Sequence, residues 1–150
     1  MKDSIHPASE ENLGFLLWQV STLWSSSTST VLKSLGLTHP QFVLLATIDW
    51  LKGKESTQEQ IGKRAILDPK PTAHLLRSLE IKGLIELSAG SEYLITTAGA
   101  KLLAKAIPII ESADAAFFAS IDPKNSKIVA TLQILARTHL LKNDEMTASI

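Results

Sequence analysis

The chain of 150 residues contains no cysteine, so disulfide bonds, thiolate catalysis and cysteine-based redox sensing are excluded. It also lacks an excess of charge of either sign, because 15 basic residues balance 15 acidic ones. Nucleic-acid-binding domains are usually basic, so this balance argues mildly against that function. The neutral balance does not exclude nucleic-acid binding, because binding depends on the charge around the binding site and not on the total. With 45% hydrophobic residues, we expect one folded domain, with or without dimerisation arms.

The marks of an enzyme are missing as well. The sequence has no nucleophile elbow, glycine-rich phosphate loop, zinc-ligand spacing or paired carboxylate motif. The four histidines, at positions 6, 39, 74 and 139, are scattered rather than clustered. We therefore expect no catalytic residue, no metal site and no cofactor.

No signal for a membrane or for export is found. Residues 1–12 are polar and lack the apolar core of a signal peptide, so we expect a cytoplasmic protein. Residues 12–32 carry no formal charge, but ten of these 21 positions are polar, which is too many for a membrane span.

The uncharged segment instead has the pattern of an enclosed helix. One interpretation is a structural helix packed between two parts of the fold, and its Ser and Thr run at residues 25–30 would need such packing to stay helical. The alternative is that it lines a small-ligand cavity, since such cavities are apolar with a few hydroxyl groups. The residues of the apolar stripe are Leu13, Leu17, Val20, Trp24, Val31 and Leu35, and those of the alternative cavity are Trp18, Thr22, Ser25 and Ser26.

Residues 57–97 have the order of a helix-turn-helix followed by a wing. Thr57 and Gln60 form a capping-box pattern, which predicts a helix from about Glu59. Asp68 before Pro69 predicts the start of a second helix, with Asp68 capping the N–H of Lys70. Gly83 is expected to end this helix. Residues 84–87 and 93–95 are typical of two short strands around the turn at 88–91.

The second of these helices has two distinct faces. Thr72, Leu75, Leu76 and Leu79 share the apolar face, and the opposite face carries Lys70, Ala73, His74, Arg77 and Ser78. From residue 63 to 77 there are four basic residues and one acid, a local balance of 4 − 1 = +3. In helix-turn-helix proteins the start of the second helix meets base edges in the major groove. DNA contact by this face is the functional interpretation, and an ordinary solvated helix face is the alternative.

The flanking segments are predicted to be helical. Thr38 and Gln41 form another capping box, and Phe42, Leu45, Ile48 and Leu51 follow as core residues. Thr96 is expected to cap a long helix that Pro108 kinks rather than ends. Asp122 and Pro123 predict a final helix through Leu141, followed by a loose tail from Asn143. These C-terminal helices carry more apolar surface than a winged helix needs, which favours pairing across a two-fold axis.

Four short motifs in this order resemble the MarR family of transcriptional regulators. They are residues 35–42 (LGLTHPQF), 67–69 (LDP), 79–85 (LEIKGLI) and 95–99 (ITTAG), so the resemblance covers nearly the whole chain. It implies a homodimer that places its recognition helices in successive major grooves, with a cavity for phenolic or carboxylate effectors that release DNA. One departure is the wing, whose loop at residues 88–92 has no basic residue. This departure argues against minor-groove contact by the wing.

We accordingly expect a mainly α fold with a small β-hairpin. A winged helix-turn-helix domain at residues 36–96 is combined with N- and C-terminal dimerisation helices at 12–35 and 97–142, a flexible arm at 1–11 and a tail at 143–150. The expected function is regulation of transcription, as a repressor that binds double-stranded DNA as a homodimer. A winged helix used for protein–protein interaction is the alternative. The expected DNA-binding residues are Lys63, Arg64, Lys70, Pro71, Ala73, His74 and Arg77, and a small aromatic effector would lie near Trp18, Thr22, Ser25 and Ser26.

Overall fold

A computed structural model describes residues 4–121 and 126–148 of the chain, which divides into a unit up to Asp114 and a unit from Ala115. The described residues form six α-helices, one short 3-10 helix and one two-stranded antiparallel sheet, so the predicted mainly α fold with a β-hairpin is confirmed. The elements are α1 (Leu13–Leu32), the 3-10 helix (Lys33–Leu35), α2 (His39–Leu51), α3 (Gln58–Ala65), α4 (Pro69–Ile81), β1 (Ile85–Leu87), β2 (Tyr93–Ile95), α5 (Thr97–Phe117) and α6 (Ser126–Ala148).

The first helix, α1, begins where the sequence predicts but is not enclosed. Asn12 caps it, because its Oδ1 accepts a hydrogen bond from the N–H of Phe15 at 2.8 Å. Its apolar side chains are largely exposed, Leu13 by 79% and Leu17 by 56%. Only Thr28 and Leu32 are buried, since contacts with other elements lie in the second half of the helix. The prediction of a helix enclosed on most sides is therefore wrong for the single chain.

None of the helices in the described part of the chain is by itself long and apolar enough to cross a membrane. Only the pair Leu13–Leu35 and His39–Leu51 has the combined length and composition of a broken span, and it is bent by 79°.

The second helix, α2, starts with the predicted capping box. The Thr38 hydroxyl accepts the N–H of Gln41 at 3.2 Å, and the Gln41 side chain accepts the N–H of Thr38 at 3.0 Å. Because two of the unpaired N–H groups at the start of the helix gain side-chain partners, the capping box stabilises this end. Of the four predicted core residues, Leu45 and Ile48 are buried. Phe42 and Leu51 are half-buried and pack against the core.

Of the two helix caps predicted in the helix-turn-helix, one forms and the other does not. Thr57 accepts the N–H of Gln60 at 3.4 Å, as predicted, although only this bond of the capping box forms. Asp68 stands at the N-cap of α4 but its side chain makes no capping hydrogen bond. Pro71 removes the N–H that an N-cap side chain most often accepts, so little holds the carboxylate over the helix end. The prediction that Asp68 caps Lys70 is therefore wrong.

The wing is hydrogen-bonded to the helical part of the same domain. Strands β1 and β2 pair with Ile85 opposite Ile95 and Leu87 opposite Tyr93, and Gly83 at φ +72° ends the preceding helix as predicted. Ser56, just before α3, is joined to β2, because its Oγ donates to the carbonyl of Tyr93 at 2.8 Å. The wing is thus held on both sides by the domain that carries α4.

The long helix α5 is capped by Thr96, whose hydroxyl accepts the N–H of Gly99 at 3.1 Å, and it contains Pro108 without ending there. The Thr96 cap and the continuation of the helix past Pro108 confirm the sequence prediction, and the kink at Pro108 stays a prediction. In the second unit, α6 continues to Ala148, so the predicted end at Leu141 and the loose tail from Asn143 are wrong. The cap predicted at Asp122 and Pro123 lies outside the described residues.

The core of the first unit is formed by apolar residues from every helix of that unit and from the wing. It lies beneath α4 and fixes which side of that helix faces outward. Its buried members are Leu32, Leu37, Leu44, Leu45, Ile48, Ile61, Leu76, Leu79, Leu84, Ile85, Tyr93, Leu103 and Ala106.

Candidate nucleic-acid interface

Helix α4 turns one face to the core and the other to solvent. Thr72, Leu76 and Leu79 are buried, and Leu75 is half-buried, as the periodicity predicts. Thr72 closes the first turn, because its Oγ1 donates to the carbonyl of Asp68 at 2.8 Å. The residues predicted to contact DNA therefore point away from the core. Lys70, Pro71, His74 and Arg77 are exposed and Ala73 is half-buried, while Lys63 and Arg64 of α3 are exposed beside them in the chain.

The four basic side chains of this interface differ in their surroundings. Lys63 Nζ lies 3.3 Å from a carboxylate oxygen of Glu59, one turn earlier on α3. The guanidinium carbon of Arg64 lies 5.4 Å from the ring centre of Trp50, a cation–π distance. Within the described residues, Lys70 and Arg77 have no carboxylate at ion-pair distance. These two cations on α4 are the most available to an external anion.

The charge of the interface is one unit lower when Glu59 is included with residues 63–77. The count of 4 − 1 = +3 for residues 63–77 already contains Asp68, which is exposed and makes no capping bond. Glu59 adds a second acid that pairs with Lys63, so the balance becomes 4 − 2 = +2. One acid thus offsets a lysine on α3, and the other lies at the start of α4, two residues before Lys70.

The tip of the wing is short and closed by its own hydrogen bonds. The N–H of Ser88 donates to the carbonyl of Glu92 at 2.8 Å, and Ser91 takes a left-handed conformation at φ +62°. No lysine or arginine lies in residues 88–92. A cationic contact with the minor groove cannot come from this loop, so any DNA contact there depends on backbone and hydroxyl groups.

The four residues of the predicted ligand cavity follow one face of α1 at i, i+4, i+7 and i+8. The structure does not bring them into an enclosed site within the single chain, because Trp18 is 69% exposed and Thr22 and Ser26 are also exposed. Only Ser25 meets another element, with its Oγ 2.9 Å from Nδ1 of His39 on α2.

The sequence did not reveal a polar cluster that joins α1, α2 and α5. Trp24 Nε1 donates to a carboxylate oxygen of Asp114 at 2.8 Å, and the Trp24 ring meets the His39 ring edge-on at 5.0 Å. Burial lowers the pKa of His39 below 6.5, although the nearby Asp114 carboxylate raises it. The partners are far apart in the chain, so no spacing rule could have found them.

A second pair outside the sequence predictions joins α4 to the wing. Tyr93 of β2 is buried, and its side chain is hydrogen-bonded to Glu80 at the end of α4. Burial raises the pKa of Tyr93, and the Glu80 carboxylate raises it further through its charge and the hydrogen bond. The phenol therefore stays protonated and donates to Glu80, which fixes the wing against α4.

No group of three or more His, Asp or Glu side chains that could hold a metal ion is found over residues 4–121 and 126–148. The histidines remain scattered in the fold: His39 lies in the polar cluster, and His74 lies on the outward face of α4.

Known proteins of similar sequence are helix-turn-helix regulators, although no protein-family model matches the chain. An uncharacterised HTH-type transcriptional regulator, YdcH of Bacillus subtilis (strain 168), is 31% identical over 81% of this chain and 88% of its own length. The HTH-type transcriptional repressor Rv2887 of Mycobacterium tuberculosis (strain ATCC 25618 / H37Rv) is 30% identical over 72% of this chain and 81% of its own.

The solved structures similar to this chain include Rv2887, which is also one of its sequence relatives. The Mycobacterium tuberculosis MarR family protein Rv2887 in complex with DNA matches 84% of this chain and 98% of its own, with a TM-score of 0.70 and 27% identity. Its complex with salicylic acid matches 83% of this chain and 98% of its own, with a TM-score of 0.65 and 27% identity. The Staphylococcus aureus MepR–DNA complex, with a TM-score of 0.73 and 22% identity over 87% of this chain and 99% of its own, shares the fold.

Proposed function

The chain belongs to the MarR family of winged helix-turn-helix, DNA-binding transcriptional regulators, and from this premise we propose that it is a homodimeric repressor whose α4 reads the DNA major groove. A small aromatic acid or phenol is the proposed effector that releases it from DNA. The relative Rv2887 is a transcriptional repressor that has been solved with DNA and with salicylic acid, which supports the repressor, the DNA and the effector parts of the proposal.

The observation that carries the proposal is the outward face of α4. Lys70, His74 and Arg77 are exposed there, while Thr72 and Leu76 on the opposite side anchor the helix in the core. A helix with two cations that have no carboxylate at ion-pair distance among the described residues is suited to phosphates and to the acceptor groups of guanine. In this proposal Lys70, Pro71, Ala73, His74 and Arg77 meet bases and phosphates, and Lys63 and Arg64 meet the backbone.

The apolar face of α1 supports the homodimer. Leu13, Leu16, Leu17, Val20 and Leu23 recur at helical spacing and are all exposed, the last by 62%. We name these five residues the α1 apolar face. An exposed apolar patch of this kind marks an interface, and a two-fold pair buries the same face of both copies.

The effector site is proposed at the other face of α1, formed by Trp18, Thr22, Ser25 and Ser26. An indole ring with three hydroxyl groups offers stacking and hydrogen bonds to an aromatic acid. The contact of Ser25 with His39 ties this face to α2 and so to the DNA-binding domain. Ligand bound here would act on a helix that is connected to α4 through the core.

The test of DNA reading is the variant Arg77→Ala, assayed on duplexes selected by the wild-type protein from random fragments. Loss of an exposed arginine that contacts a base or phosphate is expected to weaken binding by about tenfold to a hundredfold and to flatten the salt dependence. Lys101→Ala, an exposed lysine on α5, is the matched control and should bind as the wild type does. Unchanged affinity and salt slope for Arg77→Ala would show that α4 does not dock as proposed.

A winged helix used for protein–protein interaction stays a second candidate because the wing tip has no basic residue and the net charge is zero. It requires the outward face of α4 to be covered by a partner. In the chain as described this face is exposed. Failure of the wild-type protein to select any DNA would favour this candidate over the repressor.

A further inference from the structure

Gln41 is a buried polar residue at the junction of α2 and α4, with only 7% of its surface exposed. Its Nε2 donates to Ser78 Oγ at 3.1 Å, and its Oε1 accepts both the N–H of Thr38 at 3.0 Å and Lys82 Nζ at 3.4 Å. A buried amide costs stability unless its groups are paired, and here oxygen and nitrogen both have partners. A buried amide whose oxygen and nitrogen are both hydrogen-bonded favours one arrangement of the elements that it joins.

Two of these contacts hold the C-terminal half of α4. Ser78 follows Arg77 directly, and its hydroxyl donates to the carbonyl of Leu75 at 2.7 Å while it accepts from Gln41. Lys82, at the end of the helix, also donates to the carbonyl of Gly36. We name residues 36–41 the α1–α2 joint. Two side chains of this helix end thus fix the direction of α4, because Ser78 binds Gln41 at one end of the joint and Lys82 binds Gly36 at the other.

The same joint also fixes the direction of α1. The N–H of Leu37 donates to the carbonyl of Leu32 at 3.3 Å, and Nδ1 of His39 lies 2.9 Å from Ser25 Oγ. The ring of His39 meets that of Trp24 edge-on. The α1–α2 joint therefore binds α1 on one side and α4 on the other.

We propose that Gln41, Ser78 and Lys82 are positioning residues that set the angle between α1 and α4, and through it the half-site spacing that the dimer accepts on DNA. The inference rests on the proposed function, in which α1 pairs across the two-fold axis. In such a dimer the separation of the two recognition helices depends on the angle between the paired helix and α4. The half-site spacing of an operator mirrors that separation.

The test uses the full-length protein and duplexes built from the sequence that it selects. One duplex keeps the selected half-site spacing, and two others are one base pair longer or shorter. The wild-type protein should prefer the selected spacing. In Ser78→Ala, which removes the acceptor for Gln41, the ratio of affinities between selected and altered spacing should fall by about threefold to tenfold. Binding to a duplex of unrelated sequence should stay unchanged, since the charges are the same.

Ser34→Ala is the matched control. Ser34 is exposed, and its hydroxyl donates to the carbonyl three residues earlier, as that of Ser78 does, but it has no contact with Gln41. Its spacing ratio should equal that of the wild type. Lys82→Met tests the second contact and should lower the ratio in the same direction.

The outcomes separate two failures. If the wild-type protein selects no DNA, the proposed function is wrong and the inference falls with it. If the wild type binds and prefers one spacing but both Ser78→Ala and Lys82→Met keep the full ratio, only the positioning role is wrong. Loss of the ratio in Ser34→Ala as well would also overturn the inference, because the effect would then not depend on Gln41.

Discussion

At the scale of one residue, close packing explains why the motif at residues 95–99 ends in glycine, Gly99. It lies in the first turn of α5, where a Cβ atom would stand 2.1 Å from the carbonyl oxygen of Leu84 and 2.8 Å from a side-chain carbon of Ile95. The N–H of Thr96 donates to that same carbonyl at 3.0 Å. The helix and the wing therefore approach each other so closely that only glycine fits.

The variant Gly99→Ala is expected to be destabilised by about 3 kcal/mol, because backbone must move to relieve the overlap. The measurement is the free energy of unfolding by denaturant. Gly90→Ala in the wing turn is the control, since its Cβ would meet nothing closer than 3.9 Å, and it should change stability little. Equal stability of Gly99→Ala and the wild type would mean that α5 and the wing are not packed as described.

Local chemistry predicted single residues well where their partners are close in the chain. Thr38, Thr57 and Thr96 cap their helices because each accepts an N–H three residues ahead. Asp68 makes no cap bond, because proline at position 71 has no N–H and so removes the usual donor of that bond. The roles of residues such as Gln41, with Ser78 lying 37 positions away, could not be found, because no local rule states which distant side chain completes a buried hydrogen bond.

At the scale of elements, the first turn of α2 joins three helices through His39. Its ring lies against Trp24 and beside Ser25 of α1, and the Asp114 carboxylate of α5 faces it. Burial favours the neutral ring, and the N-terminus of α2 also disfavours a cation there. Asp114 opposes both effects, but burial is the larger influence on the pKa.

The stability of the chain should therefore fall in mild acid. Because the pKa of His39 is lower in the folded chain than its ordinary value of 6.5, the unfolded chain binds more protons between the two values. The contribution is fully present above pH 6.5 and is lost as the pH falls through the folded pKa. Unfolding free energies measured from pH 8 to pH 5 should show this loss in the wild type and a smaller loss in His39→Asn.

His74→Asn is the matched control, because His74 is exposed on α4 and contributes no buried imidazole. Its pH profile should follow that of the wild type. If His39→Asn and the wild type lose the same stability between pH 8 and pH 5, the acid sensitivity arises elsewhere.

Elements differ in how well their burial could be predicted. The outward and inward faces of α4 follow from periodicity alone, since Thr72, Leu76 and Leu79 are buried as expected. The same reasoning failed for the first part of the stripe on α1, where side chains such as Leu13 and Leu17 are exposed, whereas the later members of the stripe are half-buried. Periodicity identifies an apolar face but does not say whether the cover comes from the same chain or from a second copy.

At the scale of the whole molecule, the proposed homodimer gives the exposed α1 apolar face a partner. Without it, side chains such as Leu13 and Leu23 remain in water at 79% and 62% exposure. Each such side chain that becomes fully buried contributes about 1.5–3 kcal/mol. A self-complementary face would place one α4 on each side of the two-fold axis, as binding to two half-sites requires.

A charge on that face should separate the dimer. Leu23→Glu is expected to shift the protein toward monomer in sedimentation at micromolar concentration, since each copy would bury a carboxylate in the interface without a partner. Ile81→Glu is the control, because Ile81 is 76% exposed at the end of α4, away from α1 along the chain. It should sediment as the wild type does. If both variants sediment as dimers, α1 is not the interface, and the link drawn from α1 through the joint to half-site spacing would have to start from another helix.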